Sequence, residues 1–147
     1  MRFAAAVLLA LLAGPATAQE QTTTVEPHAA IFRRLSAAVV GISCSGSTSS
    51  GAPSGFYGTG VVVSPDGLVL TDLTVVPKDG RDVKVYFTDG RVMAAELKRV
   101  DAPSEGVLVK VGGNSLTHMK LADSSKARLG DPCYSWGNPY LTIQRDG

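Results

Sequence analysis

The groups in this 147-residue chain that could move a proton, attack a carbonyl or hold a metal are few and scattered. There are two histidines, His28 and His118, and two cysteines, Cys44 and Cys133. Neither pair has the close spacing of a zinc site, so no metal centre is expected. Ser43, Ser64, Ser124, Ser125 and Ser135 are candidate nucleophiles by residue type. A serine hydroxyl, however, needs a neighbouring base, usually an imidazole oriented by a carboxylate, and backbone amides for the oxyanion. His28 lies in a polar stretch and reads as a solvated side chain. His118, in Ser115-Leu116-Thr117-His118-Met119, is a base only if it comes within hydrogen-bond reach of the proton it takes. Gly58-Thr59-Gly60 precedes a β-branched run and does not open a helix, so it reads as a close approach at a strand start, not a phosphate loop. No cofactor is expected.

The elements that would have to position such groups are mostly strands. Ile31, Leu35 and Ala38 fall at helical spacing with Arg33 and Arg34 on the other face, which predicts a short helix. Ala38 to Cys44 is β-branched and apolar, as in a buried strand. Ser45 to Ser54 is almost wholly Ser, Gly, Thr, Ala and Pro, and reads as a mobile surface loop. Val61 to Ser64 and Leu68 to Thr71 flank the turn Pro65-Asp66-Gly67. Asp82 to Phe87 alternates, with Val83, Val85 and Phe87 on one face and Lys84 and Tyr86 on the other. Asp89-Gly90 turns the chain into Val92 to Val100, and Val107 to Val111 is the last strand. Short strands at regular spacing, with no room for crossover helices, predict an all-β fold; six of them close a small barrel without exposed edges.

Length and composition fit one ordinary globular domain, with 44% apolar and 18% charged residues. The net charge of +1 leaves no basic footprint for nucleic acid or an anionic membrane. Residues 1–18 carry Arg2, an apolar run from Phe3 to Ala13, a Gly14-Pro15 break and Ala16-Thr17-Ala18. That is the pattern of a secretory signal peptide, and the run is shorter than the roughly 20 residues that span a bilayer. Residues 19–28 read as a flexible leader. The oxidising destination permits a disulfide between Cys44 and Cys133; two buried free thiols acting as small apolar residues are the alternative.

The stretch G-T-G-V-V-V-S-P-D-G-L-V-L-T-D-L-T-V-V from Gly58, followed by S-E-G-V-L-V-K-V from Ser104, resembles the first β-barrel of HtrA/DegP-type trypsin-like serine proteases. In that family the corresponding stretches read G-S-G-[VF]-[IV]-[IV]-S-P-D-G-x-[IV]-L-T-N-N-H-V-V and T-D-[LI]-A-[VL]-L-[KQ]-[IV]. Leu129 to Pro139 resembles the family's L-R-V-G-D-x-V-x-A-I-G-N-P, which opens the second barrel. The likeness covers about residues 29 to 140. It implies a six-stranded Greek-key barrel over 29–113, the first of the family's two, with 114–147 as the inter-barrel connection and the first strand of a truncated second barrel. It also implies a helix before the first strand. Cys44 then falls at the end of the first strand and Cys133 in the first strand after the barrel, which argues against a disulfide.

The resemblance is weakest where the family does its chemistry. Thr74 stands at the position of the catalytic His and Glu105 at that of the catalytic Asp, and the nucleophile motif G-N-S-G-G-P is not in this sequence. A threonine hydroxyl cannot cycle a proton near neutral pH as an imidazole does. Glu105 has no imidazole to orient and reads as a solvated carboxylate at a strand start. His118 is placed on the connection between barrels, away from the cleft. These residues imply an exported pseudoprotease, periplasmic or extracellular, whose barrel binds or scaffolds peptide or unfolded-protein partners. The alternative is the amino-terminal fragment of an active trypsin-like endopeptidase.

Overall fold

The computed structural model describes residues 28–137. The stretch read as a signal peptide (residues 1–18), the expected leader up to residue 27, and the stretch from Asn138 on lie outside the described residues. The last residue of that leader, His28, instead opens the first helix. Helix α1 (His28–Leu35) runs through a single 3-10 turn at Ser36–Ala38 into the first strand. Ile31 and Leu35 are half-buried and Arg33 and Arg34 exposed, as the helical spacing requires. Six strands follow: β1 (Val39–Ser47), β2 (Pro53–Val62), β3 (Leu68–Asp72), β4 (Arg81–Tyr86), β5 (Val92–Asp101) and β6 (Gly106–Val111).

They close into an antiparallel barrel in the order β1-β2-β3-β6-β5-β4, with β4 returning to β1. The β3–β6 and β1–β4 neighbours make the connectivity a Greek key. Strand β6 shows the driving pattern: Val107, Val109 and Val111 are fully buried while Leu108 and Lys110 between them are not. The same alternation puts Val40, Ile42, Val62, Val69, Val83, Val85 and Phe87 in one core. Such β-branched side chains have few rotamers to lose and fill a narrow pleated interior well.

Two extents differ from the sequence expectation. The expected loop of residues 45–54 shrinks to Thr48–Ala52, because the β1–β2 ladder continues to the Ser47 and Pro53 pair. Main-chain bonds carry that hairpin extension, so it needs no apolar alternation, and the Ser45 hydroxyl adds bonds to the Arg81 carbonyl at 3.1 Å and the Asp82 carboxylate at 3.0 Å. Strand β2 accordingly starts well before Val61.

The β2–β3 turn is tied firmly to the barrel. Gly67 has φ of 99°, and a Cβ there would lie 2.6 Å from the Val111 carbonyl oxygen, so only glycine fits. The Val111 N–H bonds to the Gly67 carbonyl at 3.0 Å, and the Lys110 ammonium pairs with the Asp66 carboxylate at 2.6 Å. Beyond β6 the chain folds back over this end: Leu116 N–H donates to Pro65 O and Met119 N–H to Val62 O. Residues 127–137 form no strand. Cys44 is buried and Cys133 exposed, and both are free thiols. The expectation of two buried thiols therefore holds only for Cys44; among the described residues no sheet forms around Cys133 to bury it.

Candidate active site

Thr74 and Glu105 come from two turns at the same end of the barrel. Strand β3 pairs with β6 so that Asp72 faces Gly106, and β5 pairs with β6 so that Asp101 faces Gly106 too. The turn after β3 and the turn before β6 are therefore neighbours. A backbone bond joins them, Leu73 N–H to Glu105 O at 3.0 Å.

The side chain of Asp72 organises the first turn. Its Oδ1 accepts from the Thr74 amide at 2.8 Å, the Thr74 hydroxyl at 2.5 Å and the Val75 amide at 3.2 Å. The Asp72 carbonyl takes the Val75 and Val76 amides. This is the Asx-turn geometry that short acidic side chains favour. The hydroxyl of Thr74 is thus a donor within its own turn, on an exposed residue.

Glu105 is exposed, with φ of 57°, and its amide reaches Ala102 O at 3.4 Å. Beside it, the Ser104 hydroxyl donates to Asp101 Oδ2 at 2.5 Å and accepts from Gly106 N–H at 3.3 Å. A hollow of about 340 Å³ adjoins this turn, lined by Leu70, Arg99, Asp101, Ser104, Gly106 and Leu108.

Below, the Thr74 turn rests on β1 and β2. The Cys44 thiol donates to the Val75 carbonyl at 3.2 Å. Burial, and secondarily the charge of Asp79, raise that thiol above its ordinary value, which keeps its proton in place for the bond. At Gly58 a Cβ would lie 2.3 Å from Val75 Cγ2, so the absent side chain lets the turn sit directly on β2.

Strand β2 is also open on one side here. It pairs with β1 from Pro53 to Val61 but with β3 only at Val61 and Val62. The Val63 amide reaches Leu68 O and the Thr59 carbonyl receives the Thr71 hydroxyl, so odd-numbered residues of β2 turn their main-chain groups toward β3. Gly55 and Tyr57 do the same where none of the described strands lies beside them, and the Gly55 carbonyl receives the Ser54 hydroxyl at 3.4 Å.

The histidines are elsewhere. His118 follows the segment bonded to Pro65, at the opposite end of β3 from Thr74. Its Nδ1 lies 3.1 Å from the Leu116 carbonyl, which only accepts, so Nδ1 carries the proton. His28 is exposed, as a solvated side chain should be, and its ring also meets that of Tyr134 edge-on, with centroids 5.3 Å apart. The close approach read at Gly58 is found there, against Val75, whereas the anchoring roles of Asp72 and Cys44 were missed at the sequence level. Of these two, Asp72 left a local signal, an Asp two residues before a Thr in a turn.

The comparisons point the same way as the fold. A family model described as a trypsin-like peptidase domain matches residues 58–146. The chain is 35% identical over 83 residues to a probable periplasmic serine endoprotease DegP-like of Pseudomonas putida, covering 56% of this chain and 17% of that protein. It is likewise 35% identical over 83 residues to the mitochondrial serine protease HTRA2 of Drosophila virilis, covering 56% and 20%. A probable serine protease do-like of Buchnera aphidicola is 34% identical over 85 residues, covering 56% and 18%. The chain thus spans about a fifth or less of the length of these relatives.

Proposed function

Because the chain belongs to the trypsin-like peptidase domain family, with HtrA/DegP proteases among its homologues, we propose that it is an exported, catalytically inactive member whose barrel binds extended segments of peptide or unfolded protein. One observation carries the inactive part. At the position where the resemblance places the proton-accepting imidazole, Thr74 offers only a hydroxyl, and that hydroxyl is spent on Asp72. Glu105 next to it has no imidazole to orient. The binding part is supported by the open edge of β2 at Gly55 and Tyr57, since unpaired strand edges accept extended chains by main-chain hydrogen bonding. Export is supported by the apolar leader over residues 1–18. Among the described residues no helix is long and apolar enough to cross a membrane.

A second reading is an active endopeptidase of which these residues are the amino-terminal part. It is favoured by the relatives the chain matches, which are named as serine endoproteases or proteases. One experiment separates the two. The protein, in the length its gene encodes, is titrated into fluorescein-labelled unfolded casein in the presence of a fluorophosphonate serine probe. The expected outcome is a rise in anisotropy with no fragments released and no serine labelled. Fragment release together with heat-sensitive labelling of one serine establishes the second reading. A flat anisotropy trace removes the binding function.

A further inference from the structure

Helix α1 carries His28 and Phe32 four residues apart, and the segment after the barrel carries Tyr134 and Trp136 two residues apart. The rises match: four helical residues advance about 6 Å and two extended residues about 6.6 Å, so side chains on the two elements can pair rung by rung. They do. His28 meets Tyr134 edge-on at 5.3 Å and Phe32 stacks on Trp136 at 4.2 Å with a 29° interplanar angle. Both arrangements are favourable for ring quadrupoles.

We propose that α1 is a strap that closes on residues 134–136 and fixes the direction in which the chain leaves the barrel, and that this strap opens without unfolding the barrel. Its attachment is light. No residue of α1 is buried, and Phe32 remains 52% exposed and Tyr134 41% exposed even when paired. The segment it holds has no ladder of its own: residues 127–137 form no strand, and within them the Arg128 and Asp131 contacts close one local turn. Two aromatic rungs thus couple the segment before the barrel to the segment after it. Opening them bares Phe32, Tyr134 and Trp136 together while leaving the core of Ile42 and its neighbours intact. This inference is independent of whether the barrel is catalytic.

Trp136 is the only tryptophan, so its emission reads the strap alone. In the 147-residue chain, Phe32→Ala is expected to shift that emission to the red and raise its acrylamide quenching constant about two-fold, as a ring that loses its stacking partner becomes solvated. His28→Ala, which removes the other rung, should give a smaller change of the same sign. Phe32→Tyr should restore the wild-type signal, and Arg33→Ala, on the solvent face, should leave it alone. The thermal midpoint of the barrel, followed by far-ultraviolet circular dichroism, should be nearly equal in all of them. Emission unchanged in Phe32→Ala, or changed as much by Arg33→Ala, overturns the strap. A barrel that melts with the strap overturns its independent opening. An emission shift that appears on dilution of the wild type overturns it as well, because the second set of rings would then belong to another copy.

Discussion

Strand β3 joins two unlike regions. Its inward side chains Val69 and Thr71 are held by partners far away in sequence: Val69 lies in the core with Val109 and Ile42, and the Thr71 hydroxyl bonds to the Thr59 carbonyl at 2.9 Å. Just past its end, the Thr74 side chain is held by Asp72, two residues back. The interior is therefore specified collectively, each side chain fixed by several strands, whereas the rim is specified locally by one carboxylate. Anchors from below, Cys44 and Gly58, meet Val75 and so fix where the turn sits. A rim built this way can change its side chains without disturbing the barrel, so the fold can persist with Thr74 and Glu105 where the resemblance puts catalytic groups.

The interior should be far the more sensitive. Ile42 is fully buried among Val69, Val85 and Val109. Ile42→Ala should lower the free energy of unfolding by about 2–5 kcal/mol, the lost transfer energy plus the cavity left behind. Urea denaturation followed by circular dichroism measures it. A loss below about 1 kcal/mol would show that the core is loosely packed and that the contrast with the rim is false.

At the rim the comparison sharpens. Asp72→Ala removes an acceptor shared by three donors on an exposed turn and should cost about 0.5–2 kcal/mol, as the loss of a capping carboxylate does. Thr74→Val keeps the shape, leaves both amide bonds and should cost about 0.5 kcal/mol. The same urea curves give both values, with slopes unchanged from wild type. If Thr74→Val costs as much as Ile42→Ala, the Thr74 side chain is part of the folding core and the rim is not local.

This contrast also explains what could be read from the sequence. The barrel was legible because alternation is a local record of burial: Val83, Val85 and Phe87 point inward as their spacing demands. The start of β2 was not, because Pro53 to Gly58 is held by main-chain pairing with β1, and main-chain bonds leave no side-chain period. Thr74 and Glu105 could be singled out by resemblance to a protease motif, but their proximity depends on the Leu73 to Glu105 bond, which joins residues far apart in the chain. The pairing of Phe32 with Trp136 spans more than a hundred residues and has no local signature at all.

The smallest expected effect tests the other end of β3, where a surface tether replaces local capping. Lys110 donates to Asp66, and this bond first, with the Ser64 side chain second, holds the Asp66 carboxyl at about 2, below its ordinary 3.8. A carboxyl that is more acidic in the folded than in the unfolded chain makes the unfolded chain take up the proton first as pH falls. Its stabilising contribution is therefore complete above pH 3.8 and is lost as pH drops from there to about 2. Lys110→Met should remove that contribution, so its thermal midpoint should fall less steeply than that of wild type across this window. Lys110 is not among the causes that lower Asp89, Glu96 and Asp123, so these groups should largely cancel in the difference. Because the Asp66 side chain is 62% exposed, salt should screen the pair, and the difference between the two proteins should shrink as ionic strength rises. Melting curves collected at each pH in low and high salt measure this. Parallel decline of the two proteins in low salt would mean that Lys110 does not tether the turn, and that the β2–β3 end rests on Gly67 and the backbone bonds alone.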